Sequence, residues 1–547
     1  MPAFWATIAA VGITLFAFGL RAYAAHWGLP YVDHADEPTL VNIALGMLRS
    51  GDLNPHFFMY PSLYFYLLLG VFSAHYRWGQ ATGLYSSLDQ MSITTHFYTS
   101  VPGFFVWGRM LTSVIGSLTV LNLYVLGKRM WSPGAGLIAA LCVATAPYHM
   151  RHSQFVTTDV TSAWFVVLAF TSAVAIMQTG RWPSYVAAGL YAGLAAATKY
   201  NAGAVVLAVI AAHGLCWGRQ ALARVARLTG AGAAAVLGFV VGTPYVVLDW
   251  PHFLKDIGNQ ASHYGGGLHG DYLGAWNIGA YVEFFWTDGL RPAACIALVA
   301  GLVVLLWQRP KVGLLWLSFA VPYLLLFLPW QTHFMRNLMP LLVLCAVPVG
   351  VAGAVIVERV LQHAPYLSPA AAAAVLVVLY GITTRDAVTF TLFEATPNSR
   401  VLAGNFVRTL PRGQRMAVEL NPAQWLGDPI VEPVSSITDH SLEWYRANNF
   451  RYLVTNDDRR DERDPQLYKA ITANAKRLRV FPGARDGKPG PHVEVLDLGQ
   501  QLDALAIVRR PAQFGPTIRL LGYEARPGEL RPAITPLEGA DERVLTA

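Results

Sequence analysis

The polar chemistry of this chain sits in a few short runs between long apolar ones. The first run is Tyr31-Val32-Asp33-His34-Ala35-Asp36-Glu37-Pro38, which holds three carboxylates within five positions. Carboxylates beside apolar stretches are costly unless solvated or used. A carboxylate facing a polar cavity has the chemistry of a general base, taking the proton of a hydroxyl nucleophile. The alternative is a solvated loop, in which Glu37-Pro38-Thr39 opens a helix over Leu40–Leu48 with Pro38 near its first turn.

The second run is Arg151-His152-Ser153-Gln154-Phe155-Val156-Thr157-Thr158-Asp159. Asp159 either caps the next helix, where negative charge is favoured, or faces a polar ligand beside Arg151 and His152. Two further cations stand at turns between apolar runs. They are Lys199, in Thr198-Lys199-Tyr200-Asn201, and Arg336, in His333-Phe334-Met335-Arg336-Asn337. Both suit a bound phosphate, which Arg and Lys pair with strongly. The alternative for each is a side chain reaching up to the membrane interface. The stretch 245–290 contains His263-Tyr264-Gly265-Gly266-Gly267-Leu268-His269-Gly270-Asp271-Tyr272, a composition that suits a flexible lid over a polar ligand. Its histidines are possible metal ligands, but their spacing is not diagnostic of a metal site.

These residues need a scaffold, and the composition says which. The chain has 547 residues, 54% of them hydrophobic and only 13% charged, where a soluble chain carries about 25% charge. Residues 1–385 hold 19 Lys/Arg and 12 Asp/Glu, whereas 386–547 hold 21 of each. The first part reads as a multi-span membrane domain and the second as a soluble α/β domain. That excludes a soluble enzyme, a fibrous protein and a disordered tail. The net charge of +7 arises entirely in the membrane part and implies no nucleic-acid partner. The four cysteines, Cys142, Cys216, Cys295 and Cys345, lie in apolar stretches and read as packing residues. Met1 to Gly28 is too long an apolar run for a simple signal peptide and reads as a first span that stays.

Apolar runs of spanning length fall near 4–27, 103–126, 134–149, 160–178, 184–198, 201–217, 229–247, 291–307, 313–329, 338–357 and 369–384, eleven in all. With the N-terminus in the cytoplasm, the inside loops carry Lys128, Arg129, Arg181, Arg219, Arg224, Arg227, Arg309, Lys311 and Arg359 against one carboxylate, Glu358. That is the bias expected of cytoplasmic loops. A twelfth span at Phe57–Tyr76 would reverse it. This stretch, interrupted by Pro61 and rich in Tyr60, Tyr64, Tyr66 and Tyr76, is therefore expected as a hairpin at the outer surface, within an outer loop 28–100. The soluble domain then lies outside, in the periplasm of a bacterial cell, on a chain held in the plasma membrane. In it, Ser399–Leu410 and Pro465–Lys476 read as helices. Arg415–Leu420, Tyr452–Val454, Arg477–Phe481 and His492–Leu496 read as strands.

Taken in order over residues 1–345, these pieces resemble the GT-C membrane glycosyltransferases. The nearest resemblance is to the glycosyltransferase family 39 group, which includes protein O-mannosyltransferases, and to its lipid A aminoarabinose transferase relatives. The matching residues are Asp36-Glu37 and the helix after them, Asn54-Pro55, Tyr60-Pro61-Ser62-Leu63, Gly127-Lys128-Arg129 and Arg151-His152-Ser153 with Asp159. Gly193 with Thr198-Lys199-Tyr200-Asn201 follows, then His333 with Arg336 and Pro340. The resemblance implies a polytopic helical enzyme that inverts the anomeric centre as it moves a sugar from a polyprenyl-phosphate donor. The acceptor would be a protein, lipid or glycan hydroxyl on the outer face. It also implies roles. Asp36, with Glu37 beside it, would be the catalytic carboxylate, and Asp159 would face the same cavity. Lys199 and Arg336, with His333 a weaker candidate, would contact the donor phosphate, and Arg151, His152 and Tyr60 would line the substrate cavity. The aminoarabinose relatives carry Glu-Lys-Pro, tied to a metal site, where this chain has Met59-Tyr60-Pro61. The acidic ligand is missing, so a divalent metal cofactor is not expected.

A lipid-linked sugar flippase or transporter is the competing reading. A transporter places its polar residues near the bilayer midplane on broken helices. Here the carboxylates cluster at span ends, which favours surface chemistry. A structural or signalling protein would leave Asp36, Asp159 and Arg336 to capping and interface roles alone.

Overall fold

The computed structural model describes residues 3–88, 99–266, 270–363, 366, 368–411, 413–419, 431–457 and 463–499, and the backbone of 512–514, 518–526 and 529–536. His269 lies outside them. The chain divides into two compact units, Met1–His26 with Val32–Ala395, and Trp27–Tyr31 with Thr396–Ala547.

The first unit is helical. It opens with α1 (Ala3–Tyr23), α2 (Glu37–Ser50), α3 (Leu63–Ala81) and α4 (Pro102–Met130). Next come α5 (Pro133–Thr145), α6 (Pro147–His152), α7 (Thr158–Thr179), α8 (Trp182–Thr198), α9 (Val206–Trp217) and α10 (Val225–Gly242). The stretch 245–290, expected as a flexible lid, is largely ordered as α11 (Tyr245–Leu248), α12 (Trp250–Gly266), β1 (Tyr272–Leu273) and α13 (Ile278–Phe284). α14 (Pro292–Gln308), α15 (Pro310–Phe327), β2 (Thr332–His333), α16 (Met339–His363) and α17 (Ser368–Glu394) complete it.

All eleven apolar stretches read in the sequence are helical. Among the described residues, eight helices are long and apolar enough to cross a membrane. The pair Ile278–Gly289 and Pro292–Gln308, bent by 115°, passes the same test only when its halves are taken together. α5 and α8 are shorter, at 13 and 17 residues. Prolines sit in the first turns of α2, α4, α5 and α8, where the missing N–H costs nothing. Gly51 (φ 71°) and Gly180 (φ 61°) end α2 and α7 in the left-handed conformation.

Between membrane helices, close packing replaces the hydrophobic drive available in water. Gly189 and Gly193, four residues apart on α8, press against α10. A Cβ at Gly189 would lie 2.0 Å from the Ala231 carbonyl oxygen, and one at Gly193 2.1 Å from that of Ala235.

The structure corrects two expectations. Phe57–Tyr76 is not a hairpin, because α3 runs unbroken from Leu63, with Pro61 before its start rather than inside it. Residue 385 is not a boundary, because it lies within α17, and the first unit extends to Ala395.

The second unit mixes helix and strand. It contains α18 (Ser399–Val407), β3 (Arg415–Val418), β4 (Val431–Pro433), α19 (Leu442–Ala447), β5 (Phe450–Asn456), α20 (Pro465–Ala473), β6 (Lys476–Phe481) and β7 (Val493–Asp497). The sheet order is β4-β3-β5-β7-β6, with β3 parallel to β4 and β5, and β7 antiparallel to β5 and β6. Alternate residues go to opposite faces, as the two-residue period of a strand requires. Met416, Val418, Tyr452 and Val454 pack with Ala403 and Val407 of α18. Ala417 and Leu453 pack on the other face with Tyr445 of α19 and Ile471 of α20. β8 (Ala512–Phe514), β9 (Ile518–Arg526) and β10 (Glu529–Pro536) form a separate antiparallel sheet.

Candidate functional site

Asp36 occupies the N-cap position of α2, but its side chain makes no capping hydrogen bond. It points instead at Arg336, whose Nη1 lies 2.7 Å from Asp36 Oδ2. Arg336 comes from the short turn Met335–Leu338 that leads into α16, and its guanidinium lies over the Phe334 ring, 4.7 Å from the centroid. The Tyr60 hydroxyl donates to the same Asp36 oxygen at 3.3 Å. Burial raises the Tyr60 pKa above its ordinary value, so the phenol stays protonated and acts as a donor. Behind Asp36, its own N–H donates to His34 Nδ1 at 3.2 Å. Burial lowers the His34 pKa, which keeps that nitrogen an acceptor.

Lys199 directly follows α8 and pairs through Nζ with Asp159 in the first turn of α7. Asp36, Tyr60, Lys199 and Arg336 line one cavity of about 270 Å³, which Gln260 and Tyr264 of α12 wall on another side. A second cavity of about 400 Å³ shares Tyr60, Lys199, Gln260 and Tyr264 with the first. Its remaining wall is largely apolar, with Ile257, Leu326, Phe327 and Trp330. The two neighbouring cavities therefore present a charged end and an apolar end. The charged end carries two cations and one carboxylate at its surface.

Four expected positions thus come together at the cavity, and five do not line it. Glu37 is fully buried, and its carboxylate accepts from Arg109 Nε at 2.9 Å, Arg109 Nη2 at 2.7 Å and the Val156 N–H at 2.8 Å. Fully buried and paired with Arg109, this carboxylate does not reach the cavity. Asp159 is buried behind Lys199, where it holds the ammonium group rather than facing the cavity. His333 belongs to the β1–β2 pair, and both its ring nitrogens are engaged, by the Tyr281 hydroxyl at 2.8 Å and the Gly274 carbonyl at 2.8 Å. It fastens the segment after α12 from inside the protein. Arg151 is exposed, with its guanidinium over the Phe155 and Phe390 rings. His152 is buried against Tyr148, and burial lowers its pKa to about 3. The sequence reading missed Gln260 and Arg109. Arg109 carried a signal, as the one charge within the apolar body of α4.

Fold and site together define a class, a polytopic helical membrane protein with an acid–arginine pair at neighbouring cavities that are charged at one end and apolar at the other. Residues 94–247 match the family model described as dolichyl-phosphate-mannose-protein mannosyltransferase. No curated protein sequence matches the chain. Among solved structures it is similar to ArnT from Cupriavidus metallidurans bound to undecaprenyl phosphate. The TM-score is 0.52 at 14% identity, over 90% of this chain and 98% of that one. The apo state of the same protein gives 0.50 at 14% identity, over 90% and 100%. The Archaeoglobus fulgidus oligosaccharyltransferase in the apo form gives 0.49 at 13% identity, over 84% and 70%. The fold is therefore that of the GT-C membrane glycosyltransferases, as the resemblance in the sequence implied.

Proposed function

We propose that this protein is an inverting glycosyltransferase that takes a sugar from a polyprenyl-phosphate donor and passes it to an acceptor hydroxyl at the outer face of the membrane. The observation that carries this reading is the Asp36–Arg336 pair at the charged end of a site whose other end is apolar. A lipid-linked phosphate needs both ends. The isoprenoid next to the phosphate fits the apolar wall, and the phosphate fits Arg336 and Lys199. The relatives support the donor class. One is bound to undecaprenyl phosphate, and the family model is described by a dolichyl-phosphate donor.

The residues divide the work as follows. In the free protein Arg336 neutralises Asp36. A donor phosphate competes for the guanidinium and releases the carboxylate. Asp36 then accepts the proton of the acceptor hydroxyl as its oxygen attacks the anomeric carbon. The bond from that carbon to the phosphate oxygen breaks, and its electron pair leaves with the phosphate. Arg336 and Lys199 stabilise the charge that develops there. A single displacement with one base inverts the anomeric centre. Tyr60 holds the Asp36 carboxylate in place. One carboxylate between two cations is a donor set that does not fit a resident divalent ion, which prefers several oxygen ligands.

The test is a panel of radiolabelled polyprenyl-phosphate sugars, given to protein in nanodiscs, wild type beside Asp36→Asn. We expect wild-type protein to release or transfer the sugar of one donor, and the variant to lose that activity while still being made and folded. Equal turnover by both proteins would remove Asp36 as the base. Turnover of no donor by the wild type would remove the donor class.

A further inference from the structure

A second cluster of ligating side chains stands outside the cavity, and none of its atoms comes from Met59-Tyr60-Pro61. His56 lies on the loop between α2 and α3, Asp249 follows α11, and His252 stands in the first turn of α12. One ligand atom from each of the three lies within 4.8 Å of the others. His252 Nδ1 is 2.7 Å from Asp249 Oδ1. His56 Nδ1 is 3.8 Å from Asp249 Oδ2. That is too long for a hydrogen bond. It is close to the spacing of neighbouring ligands around a four-coordinate zinc ion, about 3.3 Å for bonds of about 2.0 Å.

The other nitrogen of His56 is held from behind. His56 Nε2 lies 2.9 Å from Asp52 Oδ2, and the carboxylate accepts there. That contact turns Nδ1 towards Asp249 Oδ2 across the 3.8 Å gap. A carboxylate behind the far nitrogen is the usual outer support of a metal-bound histidine, because it fixes the tautomer and makes the ligand more basic. Asp249 is supported in the same manner, since Asn54 Nδ2 donates to its Oδ2 at 2.8 Å. The loop itself is braced. The Asn54 N–H donates to Asp52 Oδ1 at 2.8 Å and the His56 N–H to Asn54 Oδ1 at 3.0 Å. Both imidazoles are reachable from solvent, with 60% and 62% of their side chains exposed, while Asp249 is at 15%. An incoming ion has a path and a place for a water ligand.

We propose that His56, Asp249 and His252 form a binding site for a zinc-class divalent ion. Two imidazoles and one carboxylate suit zinc and its first-row neighbours, whereas calcium and magnesium prefer all-oxygen sets. The site joins two separate parts of the cavity wall. The loop carrying His56 continues into Phe57, Met59 and Tyr60, and the helix carrying His252 continues into Gln260, His263 and Tyr264. Direct hydrogen bonds already tie them, from the Phe58 N–H to Asp256 Oδ2 at 2.7 Å and from Asn54 Nδ2 to Asp249 Oδ2 at 2.8 Å. The ion adds a further clip and sets the spacing of the walls. The site does not depend on what the cavity transfers.

The experiment uses full-length protein in detergent, stripped with a chelator and titrated with cobalt(II) as a spectroscopic probe. We expect saturable binding of roughly one equivalent, displaced by zinc, with visible bands of low-coordinate cobalt bound to imidazole. We also expect zinc to raise the unfolding midpoint of the stripped protein by several degrees. The His56→Gln, His252→Gln double variant alters only exposed side chains and should elute as wild type while losing both responses. Asp36→Asn should keep both. Undiminished cobalt binding in the double variant would overturn the site, as would no saturable binding by the wild type. Binding lost in Asp36→Asn but kept in the double variant would place the ion in the cavity and overturn it equally.

Discussion

Two adjacent carboxylates, Asp36 and Glu37, have opposite fates. Asp36 stands at the N-cap and faces the cavity, whereas Glu37 begins α2 and turns inward to Arg109 of α4. Breaking a fully buried ion pair by removing one partner costs about 3–5 kcal/mol, because the other charge is left uncompensated. Glu37→Gln should therefore lower the unfolding midpoint and the yield of folded protein, where Asp36→Asn lowers turnover alone. Thermal unfolding in detergent separates the two, and an unchanged midpoint for Glu37→Gln would return that residue to the list of catalytic candidates. Arg336 is tested on binding. Arg336→Ala removes a charge-assisted contact of about 2–3 kcal/mol, which is roughly 30- to 150-fold in donor affinity. Equilibrium binding of a labelled polyprenyl phosphate reads this directly, and unchanged affinity would sink the phosphate role. These assignments were legible in the sequence to different depths. Asp36, Lys199 and Arg336 stood out because charge is rare between apolar runs. The inward turn of Glu37 did not, because its cause is a residue 72 positions away on another helix.

At the scale of elements, the apolar runs fixed where helices form, and glycines fix how close two of them lie. α8 and α10 approach until backbone meets backbone at Gly189 and Gly193. Lys199 follows the last turn of α8, so any separation of this pair moves the ammonium group as well. Gly193→Val would put its Cβ 2.1 Å from a carbonyl oxygen that cannot leave without its helix. Overpacking of a tight contact costs about 1–3 kcal/mol. We expect a lower unfolding midpoint together with weaker donor binding, and Gly232→Val, in open space on α10, should change neither. Equal behaviour of the two variants would mean that the close contact does not position Lys199. Periodicity and composition did not foretell this contact, nor the unbroken α3. Pro61 read as an interruption because a proline within an apolar run breaks a helix, whereas a proline just before a helix is tolerated. Only the true start at Leu63 tells these apart.

At the scale of the whole molecule, two populations of cations stand out in the first unit. Arg224 and Arg227 lie over Trp217, Arg309 over Trp131 and Lys128 over Tyr124, at 4.5–5.8 Å from the ring centroids. Basic and aromatic side chains packed together suit a membrane–water interface. Arg109, Lys199 and Arg336 are instead each paired with a carboxylate, Glu37, Asp159 and Asp36. The first population belongs to the loops whose excess of positive charge is the bias expected of a cytoplasmic side. The second belongs to the opposite end of the bundle, where Leu20 of α1, Met150 of α6 and Ala387 of α17 pack together and the chain leaves towards Thr396. This division makes orientation testable in cells. In a protein freed of Cys142, Cys216, Cys295 and Cys345, single cysteines are placed at two exposed positions, Gln220→Cys and Asn405→Cys. A membrane-impermeant maleimide should label Asn405→Cys in intact cells, and Gln220→Cys only after permeabilisation. The reverse pattern would put the cavity on the cytoplasmic side, where soluble nucleotide-activated sugars are at hand. The apolar half of the site would then have no reason to exist for its donor, and the lipid-phosphate reading would fall with the orientation.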